Sequence, residues 1–302
     1  MLDTIKKLAD NFPIPKNPKD IDVVIEGGCF NGLYSLGALL LIKELEHRKY
    51  FKIHRVSGAS IGTIMGFAYL SDSLLDVPNY FKKIRKCFKK NINLSIVKKI
   101  MEEHCMNLSD EQFNILKTEK LYISYTKNGI QKIRDTFKSR KQLLDSILKS
   151  IHIPYLTTGE YYHISGKNKY LDGGQPYIFN NRDENDERKI LYLDNSNILT
   201  MFSIKSELNS DGRIIEGALE CYNYLLKNKR GFLCSYIHKW TMYDYASVRI
   251  KRIFCLILIY FMYFLENYGP VLFGNMYNTE IYRTIKSFST CCIKDFILYK
   301  CL

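Results

Sequence analysis

The sequence lacks an apolar run long enough to cross a bilayer as a helix. Its longest, Ile253–Leu265, holds thirteen residues, whereas a span needs about twenty. That run is therefore read as a buried core element or an interfacial anchor. Paired cysteine spacing is also missing: nine cysteines stand at 29, 87, 105, 221, 234, 255, 291, 292 and 301, with no CxxC among them. Neither a disulfide framework nor a zinc ribbon follows, and a reducing, intracellular compartment is expected. The first residues, MLDTIKKLADNFPIPKN, have no continuous apolar stretch of the signal-peptide kind, and Leu2 excludes N-myristoylation. Cys301 stands one position from the end rather than fourth, which excludes prenylation; Cys291, Cys292 and Cys301 remain candidates for palmitoylation. There is no G-x-x-x-x-G-K-[ST] phosphate loop, no spaced G-x-G-x-x-G, and no RRM, helix-turn-helix or zinc-ligand pattern.

What the chain does hold is an ordinary globular composition, 46% apolar and 25% charged over 302 residues. That suffices for one large α/β domain with a buried core. Forty-four Lys and Arg against thirty-one Asp and Glu give a formal charge of +13. Such an excess favours anionic partners, either nucleic acid or an acidic membrane surface.

Hydrophobic periodicity organises the first half. After a short amphipathic helix and the Pro-punctuated stretch Phe12–Pro18, the apolar run Ile21–Ile25 stops at two glycines and a helical pattern runs from Leu33 to His47. Phe51–Val56, Ser57–Gly62 and Ile61–Leu70 then read as strand, sharp turn and helix. Two successive βα units predict an α/β sheet. The basic segment from Tyr80 to Ile100 places Phe81, Ile84 and Phe88 at helical spacing and reads as a solvated helical face. Leu121–Thr126 and Ile133–Phe137 read as strands around the Asn128-Gly129 turn. Gln142–Ser150 reads as a helix, Ile190–Asp194 as a strand and Gly212–Leu226 as a helix.

Three motifs carry chemistry. Gly58-Ala59-Ser60-Ile61-Gly62 is a G-x-S-x-G between a predicted strand and a predicted helix, the context in which a nucleophile elbow exposes a serine hydroxyl. On its own this motif serves equally well as a structural turn. Upstream, Gly27-Gly28-Cys29-Phe30-Asn31-Gly32 joins another strand to a helix, and backbone N–H groups of such a loop can hold a tetrahedral oxyanion. Downstream, Tyr170-Leu171-Asp172-Gly173-Gly174 places Asp172 near a strand end; alone, D-G-G reads as a turn.

Taken in order, GGCFNG, GASIG and DGG resemble the oxyanion loop, nucleophile elbow and catalytic aspartate of the patatin-like phospholipases. Ser150-Ile151-His152-Ile153-Pro154 is similar to the family segment ahead of its D-G-G, and the resemblance covers roughly residues 20–228. It implies a three-layer α/β/α sandwich with a mostly parallel central sheet. It also implies a Ser-Asp dyad in which Asp172 takes the Ser60 proton, Ser60 attacks an ester carbonyl, and water hydrolyses the acyl-enzyme. Gly27, Gly28 and Cys29 would hold the oxyanion. Asn31, Gly32, Gly58, Gly62, Gly173 and Gly174 would support the motifs. No metal or cofactor is required. The sequence departs from the family at Cys29, where a third glycine is usual, and at Asn31, where Arg or Lys is usual. If position 29 needs a positive φ, Cys29 introduces strain.

The implied substrate is a phospholipid or acylglycerol, met peripherally at an anionic membrane or lipid droplet from the cytoplasm. The chain divides into a lead-in at 1–20, a catalytic domain at 20–228 and an extension at 229–302. Three other readings compete: a catalytically dead scaffold of the same family, a basic nucleic-acid-binding protein, and an orthodox triad. Only His238 of the six histidines follows Asp172 in the triad's chain order. His47, His54, His104, His152 and His163 read as structural.

Overall fold

Three parallel steps build the middle of the sheet. Strand β1 (Lys19–Ile25) leads through helix α2 (Gly32–His47) to β2 (Phe51–Gly58), and β2 leads through α3 (Ile61–Leu70) to the segment that ends in β3 (Thr118–Lys127). β1 pairs in parallel with β2, and β2 with β3. The last parallel neighbour, β7 (Lys189–Leu193), lies along the other edge of β1. The end of β1 and nearly all of β7 read as short apolar runs because both their faces are covered; Val23, Val24, Ile25, Leu191 and Leu193 are all buried.

The computed structural model describes residues 1–13, 15–91, 93–179, 188–197, 207–229 and 231–251, together with Ile253, Ile257, Phe264 and Tyr268. Two compact units divide the chain, Met1–Thr241 and Met242–Leu302. In the first, antiparallel strands flank the parallel centre. β4 (Ile130–Thr136) forms a hairpin with β3, turned at Asn128 and Gly129 with φ 50° and 80°. β5 (His163–Ser165) and β6 (Asn168–Asp172) form a second hairpin, and β8 (Cys234–Tyr236) pairs with β7. Because β8 belongs to this unit, the sheet continues past residue 228.

The helices around the sheet are α1 (Leu2–Asp10), α2, α3, α4 (Val77–Asn91), α5 (Ile96–Met106), α6 (Asp110–Leu116), α7 (Arg140–Ser150) and α8 (Ser210–Lys227). The architecture is α/β, with a mixed sheet parallel at its centre and helices around it, an arrangement compatible with three layers. α2 carries buried residues on nearly every side and packs on α8 and α1. The basic segment forms α4 and the start of α5, with Phe81, Ile84 and Phe88 buried.

In the second unit, residues 242–251 are helical. The run Ile253–Leu265 lies outside the described residues except for Ile253, Ile257 and Phe264, which are exposed helical positions. Cys291, Cys292 and Cys301 lie outside them too. Among the described residues no helix is long and apolar enough to cross a membrane.

The placement of β6 sets up the site. β3 uses Leu121–Ile123 to pair with β2 and Tyr125–Lys127 to pair with β6, while β4 occupies its opposite edge. β2 and β6 therefore share one edge of β3 and meet end to end. The chain leaving β2 at Gly58 and the end of β6 at Asp172 are brought to the same place.

Candidate active site

Ser60 occupies the turn between β2 and α3 with φ 54° and ψ −127°, outside the regions that a non-glycine residue ordinarily adopts. The strain, of order 1–3 kcal/mol, persists because the neighbourhood fixes it. A Cβ on Gly62 would meet the Ile25 carbonyl oxygen at 2.2 Å, so only glycine lets α3 start this close to the end of β1. Ser60 itself is buried, and the positive end of α3 starts beside it.

Ser150 ties this turn down. Its hydroxyl donates to the Ser124 carbonyl at 2.7 Å and accepts the Ser60 backbone N–H at 3.2 Å; Thr63 Oγ1 lies 2.7 Å away. The Ser150 carbonyl accepts the Gly173 N–H at 3.3 Å, and the His152 carbonyl accepts the Asp172 N–H at 2.9 Å. The end of α7 thus holds both the serine turn and the aspartate loop. This connection had one faint signal in the sequence, a small residue ahead of the Ile-Pro pair, and spacing alone assigns it no role.

Asp172 is the last residue of β6. One carboxylate oxygen, Oδ1, accepts the Gly174 N–H at 2.7 Å, which Gly174 offers from a left-handed turn at φ 66°. The other, Oδ2, is buried and has no fully formed hydrogen bond. Burial pushes the carboxyl up to about 6, opposed by interaction with the Ser60 side chain and by the Gly174 N–H. The serine hydroxyl is thus close enough to stabilise the carboxylate without completing an aligned bond, as is common for catalytic contacts in unliganded sites.

The glycine loop closes the third side. A Cβ on Gly27 would lie 3.3 Å from Ser60 Cβ and 3.7 Å from the Gly174 carbonyl, so the loop touches both other motifs. A Cβ on Gly28 would lie 2.2 Å from the Asn195 carbonyl, which requires glycine there. Among the described residues the N–H groups of Gly27, Gly28 and Cys29 donate to nothing, and neither does that of Ile61, which follows the serine. Cys29 has φ 45°, so the strain conditional on a positive φ is present. Burial, with the Asp172 charge adding, pushes its thiol up to about 12, so it stays neutral beside the carboxylate.

Asn31 supports the loop by another route than a cation. Its Nδ2 donates to the Asn195 carbonyl at 2.8 Å, and Asn195 Nδ2 donates in turn to the Glu26 carbonyl at 3.1 Å. Gly32 opens α2, whose next residue, Leu33, donates its N–H to Glu207 Oε2 at 3.0 Å. Neither Asn195 nor Glu207 carries a sequence signal.

A cleft of about 50 Å³ adjoins Ser60 and is lined almost wholly by apolar side chains, among them Phe30, Ile64, Phe81, Ile84, Leu94 and Ile151. His238 is elsewhere. It is exposed beside Tyr236, past the end of β8. β8 lies three strands from β2, roughly 14 Å away, and the chain at His238 runs toward the opposite end of the sheet from Ser60. Among the other histidines, His152 is buried between the Tyr161 carbonyl and Thr157 Oγ1, and burial lowers it to about 4.

Fold and site together define an α/β protein with a strained serine at a strand-to-helix turn, beside a buried aspartate and loop N–H groups that meet no acceptor among the described residues. Comparison with models of protein families, with curated proteins and with solved structures finds no match.

Proposed function

We propose that this chain is a patatin-like lipid acyl hydrolase that cleaves a carboxylic ester of a phospholipid or acylglycerol through a Ser60–Asp172 dyad. The observation that carries the reading is the pairing of a strained Ser60 with a buried carboxylate that retains one unsatisfied oxygen. That oxygen is where a proton from Ser60 would go.

In this mechanism Asp172 accepts the hydroxyl proton as Oγ attacks the ester carbonyl, and the alcohol leaves with a proton returned by Asp172. Water then repeats the sequence on the acyl-enzyme. The N–H groups of Gly27, Gly28, Cys29 and Ile61 surround the developing oxyanion, one such donor being worth about 3 kcal/mol of barrier. The neutral Cys29 thiol adds no charge to oppose it. The mostly apolar cleft beside Ser60, with no charged side chain in its lining, suits an acyl chain. No histidine is needed, which agrees with the remoteness of His238.

Labelling with a fluorophosphonate probe tests the nucleophile without knowledge of the substrate. Ser60 should be labelled, Ser60→Ala should abolish labelling, and Asp172→Asn should slow it severely. Undiminished labelling or turnover of a p-nitrophenyl ester in either variant rules out the dyad.

A further inference from the structure

One helix of the cleft wall has two faces of opposite character. Phe81 and Ile84 of α4 line the cleft beside Ser60. At 100° per residue, Lys82, Lys83, Lys86, Lys89 and Lys90 fall within an arc of about 120° on the opposite side, and all five are exposed. α4 contains no Asp or Glu. None of the five lysines enters an ion pair among the described residues.

A solvated helical face ordinarily alternates its charges, because oppositely charged neighbours one turn apart support the helix whereas like charges weaken it. The next helix does this: Lys98 and Lys99 of α5 are followed one turn on by Glu102 and Glu103. On α4 the repulsion is left uncompensated, at the wall of a cleft that contains the strained serine.

We propose that this outer face of α4 is a docking surface for an anionic lipid bilayer. Five cations on one helix face complement a surface of anionic headgroups, and the protein carries a net charge of +13 to reinforce the approach. A bilayer resting on α4 lies one helix diameter, roughly 10 Å, from the apolar cleft, within the length of a single acyl chain. Nucleic acid fits less well, because the outer arc holds the five lysines and Asn79 but no aromatic side chain on which a base could stack. The proposal deepens the reading of Ser60 as a lipid acyl hydrolase by naming the surface that presents substrate to it, and its test is independent of turnover.

The test uses the full chain carrying Ser60→Ala, sedimented with phosphatidylcholine vesicles that contain or lack phosphatidylserine, and measured against short duplex DNA. Binding should require phosphatidylserine and weaken as salt rises. Changing Lys82, Lys83, Lys86, Lys89 and Lys90 together to Glu should weaken it at least about a hundredfold. Circular dichroism checks that this variant folds, and the corresponding five Lys→Gln changes, expected to weaken binding in the same direction, serve if it does not. Equal binding to both vesicle types, unchanged binding in the lysine variants, or tighter binding to DNA than to phosphatidylserine vesicles overturns the proposal. Fluorophosphonate labelling of the unaltered chain decides separately whether Ser60 is a nucleophile.

Discussion

The Ser150 hydroxyl accepts the backbone N–H of Ser60 at 3.2 Å, and this bond joins the end of α7 to a residue whose backbone is strained. Removing the hydroxyl frees the turn to relax and leaves the Ser124 carbonyl without its partner. Ser150→Ala should therefore lower kcat on a soluble ester by ten- to a hundredfold, the scale of a misplacement of about 1 Å. Folding stability should fall by only about 1–3 kcal/mol. Comparing kcat and KM with the urea midpoint checks this; a loss of activity that merely tracks unfolding would show Ser150 to be structural only.

Activity should fall as pH drops through about 6. Asp172 works as a base only when ionised, and burial raises its carboxyl to about 6 from an ordinary value near 3.8. Below that point the protonated acid cannot take the Ser60 proton. The sign for stability is the reverse: a raised carboxyl favours the folded state most below its unfolded value, and that contribution is lost as pH rises through 6. A pH profile of kcat/KM on a soluble ester reads the first effect. A profile flat to well below pH 6 would remove Asp172 as the base.

At Cys29, φ 45° makes side-chain shape decisive. Cys29→Gly should change stability by less than about 1 kcal/mol, since relief of backbone strain offsets the freer unfolded chain. Cys29→Val should cost about 2 kcal/mol, because a β-branched side chain is most strongly disfavoured at positive φ. Chemical denaturation of the two variants checks the order, and a Val variant as stable as the Gly variant would contradict it.

The sequence made the middle of the molecule legible. Ile21–Ile25, Leu33–His47, Phe51–Val56 and Ile61–Leu70 fall within or nearly coincide with β1, α2, β2 and α3, because apolar residues cluster in each and Gly or Ser turns separate them. Asn128-Gly129 marked its hairpin for a local reason, the positive φ at both residues. What was not legible depends on contacts between distant segments. β5 and β8 are three residues each and carry no period to detect. That Asp172 ends an antiparallel strand whose C-terminal end meets the C-terminal end of β2 follows from pairing to β3, which spacing does not encode. Ser150, Asn195 and Glu207 act through side-chain hydrogen bonds to backbone atoms far along the chain.

Glu207 is the most consequential of these. It is buried and accepts the Leu33 N–H at 3.0 Å at the start of α2, while Arg213 Nε lies 3.3 Å from its other oxygen. Burial raises its carboxyl to about 7 even with Arg213 beside it. Glu207→Ala strands the Leu33 N–H, while Arg213 keeps its pair with Glu216, and should cost about 2 kcal/mol, whereas Glu207→Gln, which still accepts the Leu33 N–H, should cost less. Thermal and urea denaturation check this, and an Ala variant within about 1 kcal/mol of the parent would show the contact to be incidental.

The base reaches the serine on a hairpin that grips β3 through three residue pairs, Tyr125↔Asp172, Thr126↔Leu171 and Lys127↔Tyr170. Detaching that hairpin leaves the parallel ladder of β1, β2, β3 and β7 in place. The same event exposes the Asp172 and Gly173 amides, which are otherwise bonded to the His152 and Ser150 carbonyls. Hydrogen exchange at these two amides is therefore a clock for the dyad itself, reporting how often the molecule is without its base while the rest of the sheet remains closed.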